Sequence, residues 1–422
     1  MRYSKIIFLA SVLGLLLPVC IRAQDTLRLT LPAAEQLFLQ KNLSLLAEKY
    51  NISIARAQVI QAGLYNNPNV QFDGNIYNPE LKKPFDMSNG TGQYVVTVTQ
   101  LVYLAGKRNK QIRVAEAGAS VAESRFFDLL RTLRFSLRSS FYELYFLQNS
   151  VSGYALQIGY LETLSATYES LQQKGFVTLK DALRIKSLLY TLKAEQTSLQ
   201  NRVNDLNAEL QMLIQNNSAY IIPVSDSLSQ KAAFKNYSLA TLVDSALANR
   251  HDLKAAQQAI TYNEQNYRLQ KAMAVPDLNL GAQFDKRGNF VTNASFFSVG
   301  MDLPFFNRNQ GNIKIAQFEI EQSKTQYSLQ QQTVINEVQN AYIKAVNTDK
   351  VLSSFDASFI GQLERLLQSV TSNFQKKNIS IIEFTDFYES YKDNILQFNQ
   401  LKNERMQAME ALQFSVGKHI FN

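Results

Sequence analysis

Two stretches of this chain carry the same pattern in the same order, and a duplicated unit restricts the fold more than any other feature of the sequence. Thr30 through Phe72 aligns without a gap on Ser238 through Leu280, at an offset of 276 − 68 = 208 set by Pro68 and Pro276. Leu39 meets Leu247 and Leu45 meets Leu253, and Asn67-Pro68-Asn69-Val70-Gln71-Phe72 meets Val275-Pro276-Asp277-Leu278-Asn279-Leu280. Further on, Tyr94 to Leu104 matches Phe296 to Phe306 at an offset of 296 − 94 = 202. At that same offset Gln173-Lys174-Gly175-Phe176-Val177-Thr178-Leu179 matches Gln375-Lys376-Lys377-Asn378-Ile379-Ser380-Ile381.

Each unit reads helix, strand, strand, long helix, turn, helix. Thr30 and Ser238 are expected N-caps, and Pro68 and Pro276 mark where the opening helices have ended. Val70, Phe72, Gly74 and Ile76 alternate with polar neighbours, as do Leu278, Leu280, Ala282 and Phe284, and period-two alternation is strand patterning. In the second strand of the first unit, Tyr94, Val96, Val98 and Val102 share a face opposite Thr97 and Thr99. In its repeat, Phe297, Val299, Met301 and Leu303 oppose Phe296, Ser298, Gly300 and Asp302. Such strands are about 9–11 residues long, the length that a tilted membrane strand needs.

The prolines leave room for long helices, since none occurs between Pro84 and Pro223 or after Pro304. From Phe126, apolar residues recur at Leu130, Leu133, Leu137, Phe141, Leu144, Leu147, Val151, Tyr154, Ile158, Leu161, Leu164, Tyr168 and Leu171. These steps of three and four predict a helix close to a coiled-coil seam. Over 105–172 it would run roughly 100 Å at 1.5 Å per residue. Leu192, Leu199, Val203, Leu206, Leu210 and Leu213 continue the seam on a return helix. Phe387, Tyr391, Ile395, Phe398, Leu401, Met409 and Leu412 do so in the second unit. Turns at Lys174-Gly175 and Lys377-Asn378 then make two helical hairpins, with Gly175 and Asn378 as the residues suited to a left-handed helix end.

The expected division is a signal peptide at 1–23, a first repeat at 24–237 and a second at 238–422. The first holds strands near 70–78 and 94–103, a hairpin near 105–215 and an equatorial linker near 216–237. The second holds strands near 278–286 and 295–304 and a hairpin near 308–417. The leader follows from Arg2 and Lys5, the apolar run Ile6 to Val19, and Ile21-Arg22-Ala23 before Gln24. Cys20, the only cysteine, is an alternative processing point as a lipid-attachment site, although Val19 departs from the small residue such signals carry.

At 46% hydrophobic and 18% charged residues, the 422-residue chain is too apolar for a disordered protein. Its net charge of +8 is scattered and locally balanced, with no basic cluster alternating with stacking aromatics, so no nucleic-acid partner is expected. His251 and His419 have no ligand neighbours at metal spacing, and no GxSxG, P-loop or dinucleotide fingerprint occurs. No enzymatic activity, resident metal or cofactor is therefore expected.

Four strands cannot close on themselves in lipid, where an open sheet leaves two unsatisfied edges. Copies must pool them: two chains would supply eight strands, which side chains fill, and three would supply twelve, which leave a lumen. The long hairpins carry Arg131, Arg134, Arg138, Glu319, Glu321 and Lys324, so they belong in an aqueous space.

Over roughly residues 30 to 417 the chain resembles the outer-membrane efflux protein family, the TolC-like channels. The most specific pieces are Gln100-Leu101-Val102-Tyr103-Leu104-Ala105-Gly106-Lys107-Arg108 and Leu303-Pro304-Phe305-Phe306-Asn307-Arg308-Asn309-Gln310-Gly311. The second is similar to the heavy-metal branch, the cobalt-zinc-cadmium and copper/silver type channels. The resemblance implies a mainly α protein with a small membrane β-barrel part, a trimeric α/β-barrel channel-tunnel of the outer membrane with a long periplasmic portion. It also implies a homotrimer surrounded by outer-membrane lipid, docked to a periplasmic adaptor and an inner-membrane RND-type pump, exporting heavy-metal cations or drugs. By resemblance, the adaptor-docking tips are Gly175, Phe176, Val177, Thr178, Leu179 and Asp181 in the first copy. In the second they are Asn378, Ile379, Ser380, Ile381 and Glu383. Some members place acidic residues one and two turns before the second tip; Gln368 and Thr371 stand there instead, leaving Glu169 as the acidic candidate for an entrance ring. A duct for protein (type I) secretion and a periplasmic coiled-coil scaffold are the alternatives; a scaffold has no need of the amphipathic strands.

Overall fold

The computed structural model describes residues 25–224, 237–288, 290–356 and 358–421. The expected signal peptide and Cys20 lie outside them. In chain order the elements are β1 (Asp25–Leu29), α1 (Leu31–Lys41), α2 (Leu43–Ala62), β2 (Asn69–Gly74), β3 (Tyr77–Asn78), β4 (Lys83–Pro84) and β5 (Gln93–Val102). Then come α3 (Lys107–Gln173), α4 (Leu179–Ile214), β6 (Ala219–Pro223), α5 (Leu239–Asn249), α6 (His251–Met273), β7 (Leu278–Arg287) and β8 (Val291–Met301). α7 (Gln310–Ser354), α8 (Phe359–Gln375) and α9 (Ile381–Val416) complete the chain. Two compact units form, one from residues 25–42, 134–224 and 348–410, the other from 43–133, 237–347 and 411–421. Each draws on both repeats.

The first unit is a helical packing built on the expected seam. Helix α3 is 67 residues long, and in this unit it buries Leu137, Phe141, Leu144, Tyr154, Ile158, Leu161 and Leu164. Helix α4 answers with Ile185, Leu188, Leu192, Val203, Leu206 and Leu210. Leu161 and Leu192 are wholly buried, and each such side chain stabilises by about 2 kcal/mol. Strand β6 falls inside the expected linker and pairs in parallel with β1, Asp25 opposite Ala219 and Leu29 opposite Pro223.

The second hairpin is not one unbroken pair of helices, contrary to the expectation for 308–417. Helix α7 stops at Ser354 and α8 begins at Phe359. Asp356 accepts a hydrogen bond from the Ser358 backbone N–H at 2.9 Å, the local competition by which Asp favours turns over helix interiors. The Phe355 ring packs on Phe398 of α9, 5.5 Å between centroids.

The second unit carries an antiparallel sheet in the order β2-β5-β7-β8, with β2 and β8 at its edges. Its register confirms the expected facing. Val70 lies opposite Val98, which lies opposite Ala282, which lies opposite Phe297. Phe72, Val96 and Phe284 follow, then Tyr94, because directly paired residues share a face and alternate residues return to it. The other face shows Thr97, Gln283 and Phe296, then Thr99, Gly281 and Ser298. Tyr94 sits 6.1 Å from both Phe72 and Phe284 on the apolar side. The first strand is shorter than the expected 70–78: it ends at Gly74, and Tyr77–Asn78 instead pairs with Lys83–Pro84 in a small hairpin.

Both opening helices are interrupted at equivalent positions, Asn42 and Arg250, an offset of 250 − 42 = 208. Each interrupting residue is buried and donates to a carbonyl at the end of its repeat's last helix. Asn42 reaches Leu213 O at 2.9 Å, and Arg250 reaches Ser415 O at 3.2 Å. Left-handed residues end those helices at matching places, Gln215 and Gly417. Ser238 caps α5 by accepting from the Thr241 N–H, whereas Thr30 stands at the N-cap position without a side-chain bond. Among the described residues, no helix is long and apolar enough to cross a membrane.

Candidate docking tips and channel-forming sheet

The two hairpin turns lie in the first unit and are built alike. At the first, Gly175 N–H donates to Gln172 O and Phe176 N–H to Leu171 O, both at 2.9 Å. At the second, Lys377 N–H donates to Phe374 O at 3.0 Å and Asn378 N–H to Asn373 O at 2.9 Å. Both are Schellman closures, which need one left-handed residue. Gly175 fills that place with φ +76°, but in the second copy Lys377 fills it with φ +62°, not the expected Asn378.

The chain then re-enters helix through matched caps. Asp181 N–H donates to Thr178 Oγ1 at 3.1 Å, and Glu383 N–H donates to Ser380 Oγ at 3.2 Å. Glu383 returns the favour by accepting from Ser380 N–H at 2.7 Å, which completes a capping box and holds its carboxyl below the usual range. Of the carried-over residues, Phe176 and Leu179 are 68% and 59% exposed, while Val177, Ile379 and Ile381 are half-buried. Behind the turns, Phe374 stacks between Tyr168 at 5.5 Å and Phe384 at 4.3 Å, and Arg184 donates to Thr385 Oγ1 at 3.1 Å. This aromatic stack fixes the two turns side by side. Its members lie on three helices, and of them only Tyr168 falls on the periodic seam of its helix.

The three candidate ring residues are not gathered within one chain. Glu169 accepts from Lys186 Nζ at 2.7 Å, and that bond is the chief reason the lysine's pKa is raised. Gln368 and Thr371 instead line a cavity with Tyr160. His251 stacks on Phe127 at 4.9 Å, and burial, seconded by Lys254, lowers its pKa. Among the described residues, no three His, Cys, Asp or Glu side chains converge as a metal site would need.

An amphipathic sheet with two open edges, joined in sequence to paired long hairpins, defines a TolC-like channel-tunnel fold. The family model described as "Outer membrane efflux protein" matches residues 242–418. The crystallised CusC, whose structures concern transmembrane channel formation, superposes with a TM-score of 0.73 at 16% identity over 92% of both chains. The Campylobacter jejuni CmeC outer membrane channel superposes at 0.73 and 13% identity, over 92% of this chain and 85% of CmeC. In sequence, an uncharacterized Haemophilus influenzae protein is 25% identical over 52% of this chain and 50% of its own length. Toxin and drug export protein A of Aggregatibacter actinomycetemcomitans is 24% identical over 41% and 39%. Cobalt-zinc-cadmium resistance protein CzcC of Cupriavidus metallidurans is 24% identical over 71% and 68%. The chain thus spans about half the length of the first of these curated relatives. Over residues 242–418 it is similar to the outer membrane efflux protein family, and over most of its length it shares the fold of the solved channels.

Proposed function

We propose that this chain is the outer-membrane channel subunit of a tripartite efflux system, a passive duct from an inner-membrane RND-type pump and its periplasmic adaptor to the cell exterior. The observation that carries this is the sheet of the second unit. It presents Val70, Phe72, Val98, Phe297, Val299 and Met301 as exposed apolar side chains on one face, with mostly small and polar residues on the other. It also leaves β2 and β8 with free edges. Three copies joined edge to edge would give twelve strands, apolar outward and polar inward, with no edge left in lipid. The repeats at 24–237 and 238–422 would then alternate around the pore, and lipid would surround the barrel.

The turns at Gly175–Asp181 and Asn378–Glu383 are the adaptor-docking tips in this reading. Exposed Phe176 and Leu179 suit capture of a partner's apolar residues. Heavy-metal cations or drugs are the proposed cargo. The CzcC relation favours metals, and a toxin and drug exporter among the relatives keeps the protein-secretion duct as the second reading. The test is purification of the mature chain in mild detergent, with mass measurement and planar-bilayer recording. A trimer with steady conductance is expected; a monomer with no conductance rejects the channel. Deletion of the gene, scored against metals, drugs and secreted protein, separates the cargo classes.

A further inference from the structure

In the first unit, the break between α7 and α8 borders a cavity of about 500 Å³ between α3, α8 and α9. Its walls are largely apolar, from Leu156, Ile360, Leu367, Tyr388, Ile395 and Phe398. A second cavity, about 380 Å³, shares Asn399 and Lys402 with the first and extends to Met406. Together they follow α9 from Tyr388 to Met406, roughly 27 Å at 1.5 Å per residue. Gly153 also lines the first cavity, and a Cβ added there would meet nothing within 4 Å.

The polar groups in this seam lack what their neighbours have. On α9, Lys392 holds Glu195 at 3.0 Å and Arg405 holds Asp349 at 2.8 Å. Lys402 has no such carboxylate; its Nζ lies 4.2 Å from the Phe398 ring centroid, and burial alone lowers its pKa. Glu364, the one carboxylate in the lining, is exposed and acts on Tyr391. Gln157 Oε1 and the Tyr160 hydroxyl are buried without a hydrogen bond of proper geometry, although Thr371 and Gln375 approach Tyr160. A partly desolvated ammonium without an anion and two unsatisfied polar atoms are each unfavourable. An elongated apolar seam between them fits a tail.

We propose that the seam along α9 binds an amphipathic organic anion, a single anionic head on a linear apolar tail, with the head at Lys402 and the tail along Leu156, Leu367 and Ile395. A cation would be repelled by Lys402, and a neutral lipid would leave it without an anion. The site stands independently of whether the chain conducts.

The test uses the full mature chain in lipid nanodiscs and a diazirine-bearing dodecanoate as photolabel, with peptide mapping. Saturable labelling of peptides containing 153–160 and 388–402, displaced by unlabelled dodecanoate, is expected. Lys402→Met keeps the aliphatic stem and should weaken labelling at least about tenfold while leaving a diazirine dodecanol probe unaffected. Lys402→Gln serves as an independent second readout. Gly153→Phe should abolish labelling by both probes, with thermal unfolding unchanged. Labelling confined to the strands, equal labelling of the wild type and both lysine variants, or no labelling because a second copy fills the seam would each overturn the proposal.

Discussion

The Arg138 cluster tests how the first unit holds its helices together. Arg138 Nε and Nη2 donate to Glu410 at 2.6 and 2.7 Å, and Nη1 donates to Glu35 at 2.8 Å, so one guanidinium joins α3, α9 and α1. Burial opposes its charge, but the two carboxylates more than compensate and raise its pKa. Glu410 is 5% exposed and Glu35 is 25% exposed, so the Glu410 contact dominates. Removing one member of a buried pair strands the other's charge, at a cost of about 3–5 kcal/mol, whereas the more exposed link contributes under about 1 kcal/mol. Arg138→Met should therefore destabilise by about 3 kcal/mol, and Glu410→Gln, which leaves Arg138 its Glu35 contact, by about 2 kcal/mol. The double variant carries no carboxylate charge at 410 for Arg138 to balance. It should lose only about 3 kcal/mol, not the ~5 of additive behaviour, a coupling of about 2 kcal/mol. Denaturant unfolding followed by far-ultraviolet circular dichroism reads all three. Additive losses, or a loss under about 1 kcal/mol for Arg138→Met alone, would refute the view that the Arg138–Glu410 charge pair dominates.

Three further outcomes are expected. Burial would raise the pKa of Asp252, but Arg250 and Arg131 hold it below 3.8, so its contribution is full above that pH and lost as pH falls through the lower folded value. Asp252→Asn should flatten the acid limb of melting temperature against pH, and an unchanged limb would contradict this. At Gly281 an added Cβ would run into Ser298 Oγ of β8, which can rotate away, so Gly281→Ala should lower the melting temperature only slightly and Gly300→Ala, with no contact under 3.7 Å, not at all; a large loss at Gly281 would contradict this. At the second tip, Lys377 adopts a conformation costing non-glycine residues roughly 1–2 kcal/mol, so Lys377→Gly should slow amide exchange through 374–380. Faster exchange would mean that the lysine side chain stabilises the turn.

Much of the architecture was legible because it rests on periodicity. The alternation Val70, Phe72 and Tyr94, Val96, Val98 placed these residues on one face, and the register put them there. The seam from Leu137 to Leu164 was readable for the same reason. What escaped was set by partners remote in sequence or by single residues. Thr26 to Leu29 and Tyr220 to Ile222 are too short to show a period, and each becomes a strand only through the other. No proline or glycine marks the α7–α8 break, which depends on Asp356 and a ring across on α9. Asn378 was the better left-handed residue by propensity, but the hydrogen bonds to Phe374 and Asn373 assign that place to Lys377. Lys402 draws notice only for the carboxylate it lacks, and no sequence window displays that.

The parallel pairing of β1 with β6 bears on how the chain acquires its structure. Asp25 meets Ala219 across 219 − 25 = 194 positions, with both helices of the first hairpin between them. Joining ends so far apart carries a closure entropy that a preformed hairpin greatly reduces, because it brings the two ends together before they pair. Residues 25–29 therefore stay without a strand partner until the chain has been made through residue 223 and α3 has folded back on α4. From that moment the first repeat is cinched shut at its base, and the second is delivered beside a half already locked.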